Sequence, residues 1–181
     1  MYPQVNNMKS KTTSILAVMH VLAWVVFIGF IVQAGAILIS YSVSISNPVA
    51  AKNLYMGLNL FNLRQYDFGL YTSTVVLKVA LLGLRSYIAW LIIKVLPGIK
   101  ISNPFTEGIS RTLERISYFI LLIWVLSMVY DVFMKWLSDR APGVIPDYIS
   151  GDFIFWAGIV FVIAQIFKKG VEIQSENELT V

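Results

Sequence analysis

Residues 15–39 read ILAVMHVLAWVVFIGFIVQAGAILI, 25 residues interrupted only by His20 and Gln33. A hydrocarbon core about 30 Å thick needs about 20 residues of α-helix, so this run is long enough to span it with some tilt. The rival reading of such a run is a cleavable signal peptide, with Lys9 and Lys11 ahead of it and Ala34-Gly35-Ala36 as a cleavage-like triplet. A signal h-region takes only about 7 to 15 apolar residues, which favours a retained span.

Working outward, three more segments carry the same character, at about 72–96, 116–137 and 148–168. The whole chain of 181 residues is 57% hydrophobic and 13% charged, with a mean hydropathy of +0.73. Soluble domains are roughly a quarter charged, and a soluble fold of this length has too little core to hide so much apolar surface. The sequence therefore predicts an all-α integral membrane four-helix bundle, a single membrane domain. The fourth segment is strictly apolar only from Phe153 to Phe167, so its helix is expected to recruit Tyr148 and Ile149 or to thin the bilayer locally. Trp90 and Trp136, near span edges, suit an interfacial aromatic belt.

Lys and Arg orient the spans, because cytoplasmic loops carry the excess. Lys9, Lys11, Lys94, Lys100, Arg111, Arg115, Lys168 and Lys169 fall on the side of the N-terminus, against Lys52, Arg64, Lys135 and Arg140 on the other. Both termini are expected in the cytoplasm. The net charge of +4 does not point to direct nucleic-acid binding, since the basic residues are scattered between apolar segments and form no stripe.

The outer loop 41–71 is too long for an idle turn. Ser40, Ser42, Ser44 and Ser46 alternate with Tyr41, Val43 and Ile45, a period of two that predicts an extended stretch. Asn47-Pro48 marks a turn, and a short helix is expected over 50–60. The apolar second half, with Leu58, Leu60, Phe61, Leu63, Tyr66, Phe68 and Tyr71, is expected to lie on the outer leaflet or to cap the bundle, with ligand binding as the functional alternative.

In the inner loop 97–115, Asn103 suits a helix N-cap and Pro104 the first helical position. Phe105, Ile109, Leu113 and Ile116 then recur at helical spacing, opposite Glu107, Ser110, Arg111, Glu114 and Arg115. This predicts an interfacial amphipathic helix leading into the third span, with Glu107 and Arg111 as an i,i+4 pair. The tail 169–181 carries Glu172, Glu176, Asn177 and Glu178 and is expected to extend the last helix. Inner loop and tail together are the candidate surface for a cytoplasmic partner.

Ionisable groups at membrane depth are costly, and each needs a partner. Lys78 and Arg85 lie within the second span. Thirteen Leu, Ile and Val side chains between residues 72 and 96 contribute about −6 kcal/mol, whereas two central cations cost about +5 to +7. That helix depends on neighbours. Matching depths on antiparallel helices predict an ion pair between Lys78 and Asp131 of the third span, with Gln33 nearby. Arg85 is deeper, and Gln165, Tyr118, carbonyl oxygens, water or an anionic group are its candidate partners. The structural reading is that these groups set helix register; the functional one is an oligomeric transporter or channel using Lys78, Arg85 and Asp131. His20 reads as a packing residue bonded to a neighbouring carbonyl.

Catalytic constellations are missing. There is no cysteine and one histidine, so thiolate, zinc and bis-histidine haem sites are excluded. His20 begins no H-E-x-x-H, no G-x-S-x-G occurs, and Asp131 lacks the second intramembrane acid of an aspartyl protease. Neither enzymatic activity nor a cofactor is expected.

The run Asn103-Pro104-Phe105-Thr106, the run Leu113-Glu114-Arg115-Ile116 and the ending AQIFKKGVEIQSENELTV from Ala164 carry a resemblance. Lys52-Asn53-Leu54-Tyr55 before Gly57-Leu58, and a basic residue before Tyr87, add to it. On these motifs the chain resembles an uncharacterised family of small bacterial membrane proteins, domain of unknown function 2975. The resemblance implies a bacterial inner-membrane location, four helices and a neighbouring gene for a small helix-turn-helix regulator. The expected partners are thus the lipid bilayer, a cytoplasmic protein such as that regulator, and further copies of the chain. The leading expectation is a non-enzymatic membrane protein that signals or binds a partner.

Overall fold

The computed structural model describes residues 4–99, 105–149, 151 and 153–179 and, of those, the side chains from Thr13 to Glu176. Its regular structure is helical: α1 (Gln4–Ser46), α2 (Phe61–Tyr66), α3 (Phe68–Val95), α4 (Glu107–Arg140) and α5 (Phe153–Leu179), with short 3-10 turns at Pro48–Lys52 and Leu96–Gly98. Pro48, Pro97, Pro142 and Pro146 all fall between α-helices, where a missing N–H breaks no ladder. The long helices α1, α3, α4 and α5 are each long and apolar enough to cross a bilayer. Along α1, Val25, Val32 and Ile39 are each more than half exposed, at 62%, 55% and 68%. Side chains of that kind find a favourable medium in lipid, and lipid obliges each segment to close its backbone bonds as a helix. The chain is a multi-pass membrane protein.

It divides into two compact units. The first comprises Met1–Phe27, Tyr87–Leu121 and Phe153–Val181. Ala23, Ile93 and Leu96 are buried together, with Leu16, Phe27, Ile92 and Ile99 packed around them. Tyr87 of α3 meets Phe119 of α4 edge to face at 4.7 Å, and Tyr118 of α4 lies 6.2 Å from Phe161 of α5. Ile109 and Ile116, on the apolar stripe that the sequence predicts, are both buried. Ile109, Leu113 and Ile116 of the stripe share one unbroken helix, α4, with the third span, while Phe105 precedes its start at Glu107.

The second unit comprises Ile28–Ser86 and Leu122–Asp152. Ile37, Leu63, Tyr71, Tyr130, Met134 and Leu137 are fully buried in it. Contrary to the extended stretch expected from the alternating serines, residues 40–46 continue α1. Helical continuation places Tyr41 and Ser44 on one face, and that face is tied to α3. The Ser44 and Tyr71 hydroxyls are 2.7 Å apart in a buried contact, and the Tyr41 hydroxyl is 3.0 Å from Oγ1 of Thr72. Ser42 and Ser44 give their own protons to the carbonyls of Leu38 and Tyr41, as serines within helices do. These contacts outweigh a period-two pattern that is only a local preference.

The expected helix over 50–60 is also replaced. Asn47 caps the 3-10 turn by accepting from the Val49 N–H, the chain then turns through Met56 and Gly57, both at positive φ, and helix resumes only at Phe61. Ala51, Leu54, Leu60 and Leu63 are buried, so the segment packs within its unit, while Tyr66 and Phe68 of the same apolar half stay exposed. Asp67 ends α2 and starts α3, its carboxylate accepting from the Leu70 N–H at 2.7 Å. The last helix starts at Phe153 without recruiting Tyr148 and Ile149. Pro146 disfavours helix just before it, and the Ile149 N–H is held by the Asp131 carboxylate at 2.8 Å. The helix gains its length at the other end, continuing through Lys168 and Lys169 to Leu179, as expected of the tail.

Candidate functional site

Among the described residues each unit holds a recess with polar walls. In the second unit the recess is a cavity of about 480 Å³. Gln33 enters it from α1 and Lys78 from α3. The turn 55–60 and the segment 143–147 close over them. The Lys78 ammonium is paired with the Asp147 carboxylate. Asp131, the expected partner, instead accepts the Ile149 N–H. Matching depths relate helices only to helices, whereas the acid that reaches Lys78 comes from the segment after α4, which Pro142 and Gly143 turn back. The Lys78 side chain is 15% exposed and that of Asp147 44%, so the pair is graded from depth to mouth.

A second tie closes the same wall. The Asn62 side-chain amide donates to the Gly143 carbonyl at 2.8 Å, and Gly143 sits at φ +76°. A Cβ at position 143 would stand 2.6 Å from the Asn62 amide nitrogen, so glycine is required both by backbone angle and by space. Gln33 lines the cavity next to Ile37, while Arg85 is half-buried on α3, seven residues from Lys78 and hence on the same helix face. The sequence thus points to Lys78 and Gln33, which the fold brings together, and not to Asp147, Asn62 or Gly143. The signal available for Asp147 was an acid directly after Pro146, in the connection just before the expected fourth span.

In the first unit the recess is a groove of about 340 Å³ at the polar ends of α4 and α5, lined by Glu107, Ser110, Arg111, Glu114, Lys168 and Glu172 among others. Arg111 binds Glu107 at 2.6 Å, the i,i+4 pair predicted, and Lys169 binds Glu172 at 2.9 Å. Both pairs are well exposed and contribute little to stability. Ser110, assigned by periodicity to the polar face, is buried and donates to the Ala164 carbonyl of α5 at 3.3 Å. The Phe105 ring packs on Phe167 at 5.3 Å and against Gly170, where a Cβ would come within 2.5 Å of it.

Arg115 and Glu176 are exposed, and Gln165 is half-buried on α5. Asn103 and Pro104 lie outside the described residues, as does the side chain of Asn177. His20 differs from expectation: its Nε2 accepts from the Trp24 indole N–H at 3.2 Å rather than bonding a carbonyl. Trp90 and Trp136 each carry a cation one helical turn on, Lys94 at 3.8 Å and Arg140 at 4.4 Å from the ring centroid. Among the described residues, no three His, Cys, Asp or Glu side chains gather as metal ligands would. A protein-family model described as "Protein of unknown function (DUF2975)" matches residues 2–181. No curated protein and no solved structure matches the chain.

Proposed function

The chain belongs to the DUF2975 family, and from that premise we propose that it is a non-enzymatic protein of the bacterial inner membrane that holds a cytoplasmic partner at the polar end of its first unit. The observation that carries this reading is the continuation of α5 past its apolar stretch to Leu179, beside the charged first turns of α4. A helix meant only to cross lipid has no need of that extension. Here it adds one wall to a groove whose charges alternate in sign, the kind of surface that selects a partner by charge pattern.

Orientation follows from the basic residues. The segments of the first unit contain eight of the chain's Lys and Arg, from Lys9 to Lys169, while the second unit has Lys52, Arg64, Lys135 and Arg140 outside the two cations of α3. The positive-inside rule then puts the first unit's groove in the cytoplasm. A transporter or channel built on Lys78, Arg85 and Asp131 is less well supported, because Lys78 and Asp131 both bind the segment after α4.

The test has two arms. Reporters fused to either terminus are expected on the cytoplasmic face, with a reporter inserted at residue 142 on the other. A cytoplasmic protein is expected to co-purify with the full chain and to be lost on truncation after Lys169, while the truncated chain still inserts. Equal recovery with both chains, or termini on opposite faces, would overturn the reading.

A further inference from the structure

We propose that the cavity of the second unit is a binding site for a small zwitterion, a ligand carrying a primary ammonium and an oxyanion a few ångströms apart. Such a site is independent of the cytoplasmic partner. Charge is the first ground. Of the residues lining the cavity only Lys78 and Asp147 are charged, and they are paired, so the site is electrically neutral. Adding a simple anion or a simple cation to such a site leaves one uncompensated charge in a medium that solvates it poorly. A zwitterion adds none.

The pair can hold both ends of such a ligand without breaking. An ammonium has three donors and Lys78 gives one to Asp147; a carboxylate has about four acceptor positions and Asp147 uses one for Lys78. The ligand's oxyanion takes a free Lys78 donor at depth, and its ammonium takes a free Asp147 acceptor at the mouth, completing a square of alternating charge. The exposures of the two side chains, 15% and 44%, set that direction.

A second observation points the same way. Gln33 stands in the middle of an otherwise apolar helix, is half-buried, and makes no hydrogen bond to another described residue; it lines the cavity. Its amide opens on the cavity, where a ligand oxyanion beside Lys78 can accept its N–H. The lining also includes the apolar Leu58, Ile145 and Pro146, which can accept a short hydrocarbon group. Met56, also on the lining, holds a left-handed backbone at φ 45°, unusual for a residue with a side chain.

This chemistry has two sources, a free amino acid and a phosphoethanolamine lipid headgroup. Calorimetric titration of the detergent-purified full chain separates them. Leucine and glycerophosphoethanolamine are the zwitterionic probes; 4-methylvalerate and isopentylamine are the singly charged controls. At least one zwitterion is expected to bind at least about tenfold more tightly than either control. Leucine alone identifies a solute site. Glycerophosphoethanolamine alone, with ethanolamine lipid retained over choline lipid in native mass spectrometry, identifies a headgroup site.

Asp147→Asn leaves Lys78 without its acid, so the variant is expected to lose about 10- to 100-fold for the zwitterion and to bind 4-methylvalerate in preference to leucine. That inversion is not produced by mere loosening of the fold. Gln33→Leu, which keeps the ion pair, is expected to weaken zwitterion binding about tenfold and serves if the Asp147 variant fails to fold. Binding of a control as tight as that of the zwitterions, no binding by either zwitterion, or unchanged selectivity in the folded variants would overturn the proposal.

Discussion

Replacing Gly143 by alanine tests how the wall of the second unit's cavity is held. Two costs are separable in the structure. Position 143 is at φ +76°, where an L-residue is disfavoured by about 1 to 2 kcal/mol. The new Cβ would also lie 2.6 Å from the Asn62 amide nitrogen, so the Asn62 side chain must withdraw and give up its bond to the Gly143 carbonyl, a further loss of about 1 kcal/mol. The sum is about 2.5 kcal/mol, and Asn62→Ala by itself should cost about 1 kcal/mol.

In an Asn62→Ala background the steric conflict is gone, and Gly143→Ala should then cost only the backbone strain, about 1.5 kcal/mol. Thermal unfolding of the purified chain in detergent, followed by tryptophan fluorescence, reads the difference at about 2 to 4 °C per kcal/mol for a chain of this size. The cycle isolates the coupling because each single change removes the same contact. An equal drop in both backgrounds would refute the Asn62 contact. No drop in either would refute the left-handed conformation as well.

Two further expectations follow from contacts elsewhere. Tyr71→Phe deletes the buried hydroxyl contact with Ser44 and should cost about 1 kcal/mol, with Ser44→Ala costing a similar amount and the double variant less than their sum; additive losses in thermal unfolding would contradict a shared bond. Single-tryptophan variants retaining Trp90 or Trp136, each stacked with a nearby cation, should be quenched more by shallow than by deep bromolipids, and one retaining Trp24 should show the reverse. Deep quenching of Trp90 would place its cation within the hydrocarbon and undo the interfacial assignment.

The legibility of this chain differs sharply between its helices and its connections. The run 15–39 announces a span by itself, because whether a segment prefers lipid depends on its own side chains added along its own length. The Glu107–Arg111 pair was legible for a similar reason, since four residues along a helix always bring two side chains to one face. The serines 40–46 show the limit. Their alternation is a genuine period of two, yet Tyr71 and Thr72, about 30 positions on, bind Ser44 and Tyr41 and keep the backbone helical. Ser110 misled in the same manner: its polarity placed it on the wet face, but its small size lets α5 approach closely enough to take its proton.

What sequence alone determined is therefore the number of membrane helices, their rough limits, and the presence of Lys78 and Gln33 at depths where a polar group needs a partner. Only the tertiary structure decided that the partner of Lys78 is Asp147, and that Asn62 and Gly143 lock the wall beside it. Helical preference accumulates locally from residue to residue. The meeting of two charges depends on where an intervening turn sends the chain, and Pro142 with Gly143 redirects it over a distance that no local pattern records.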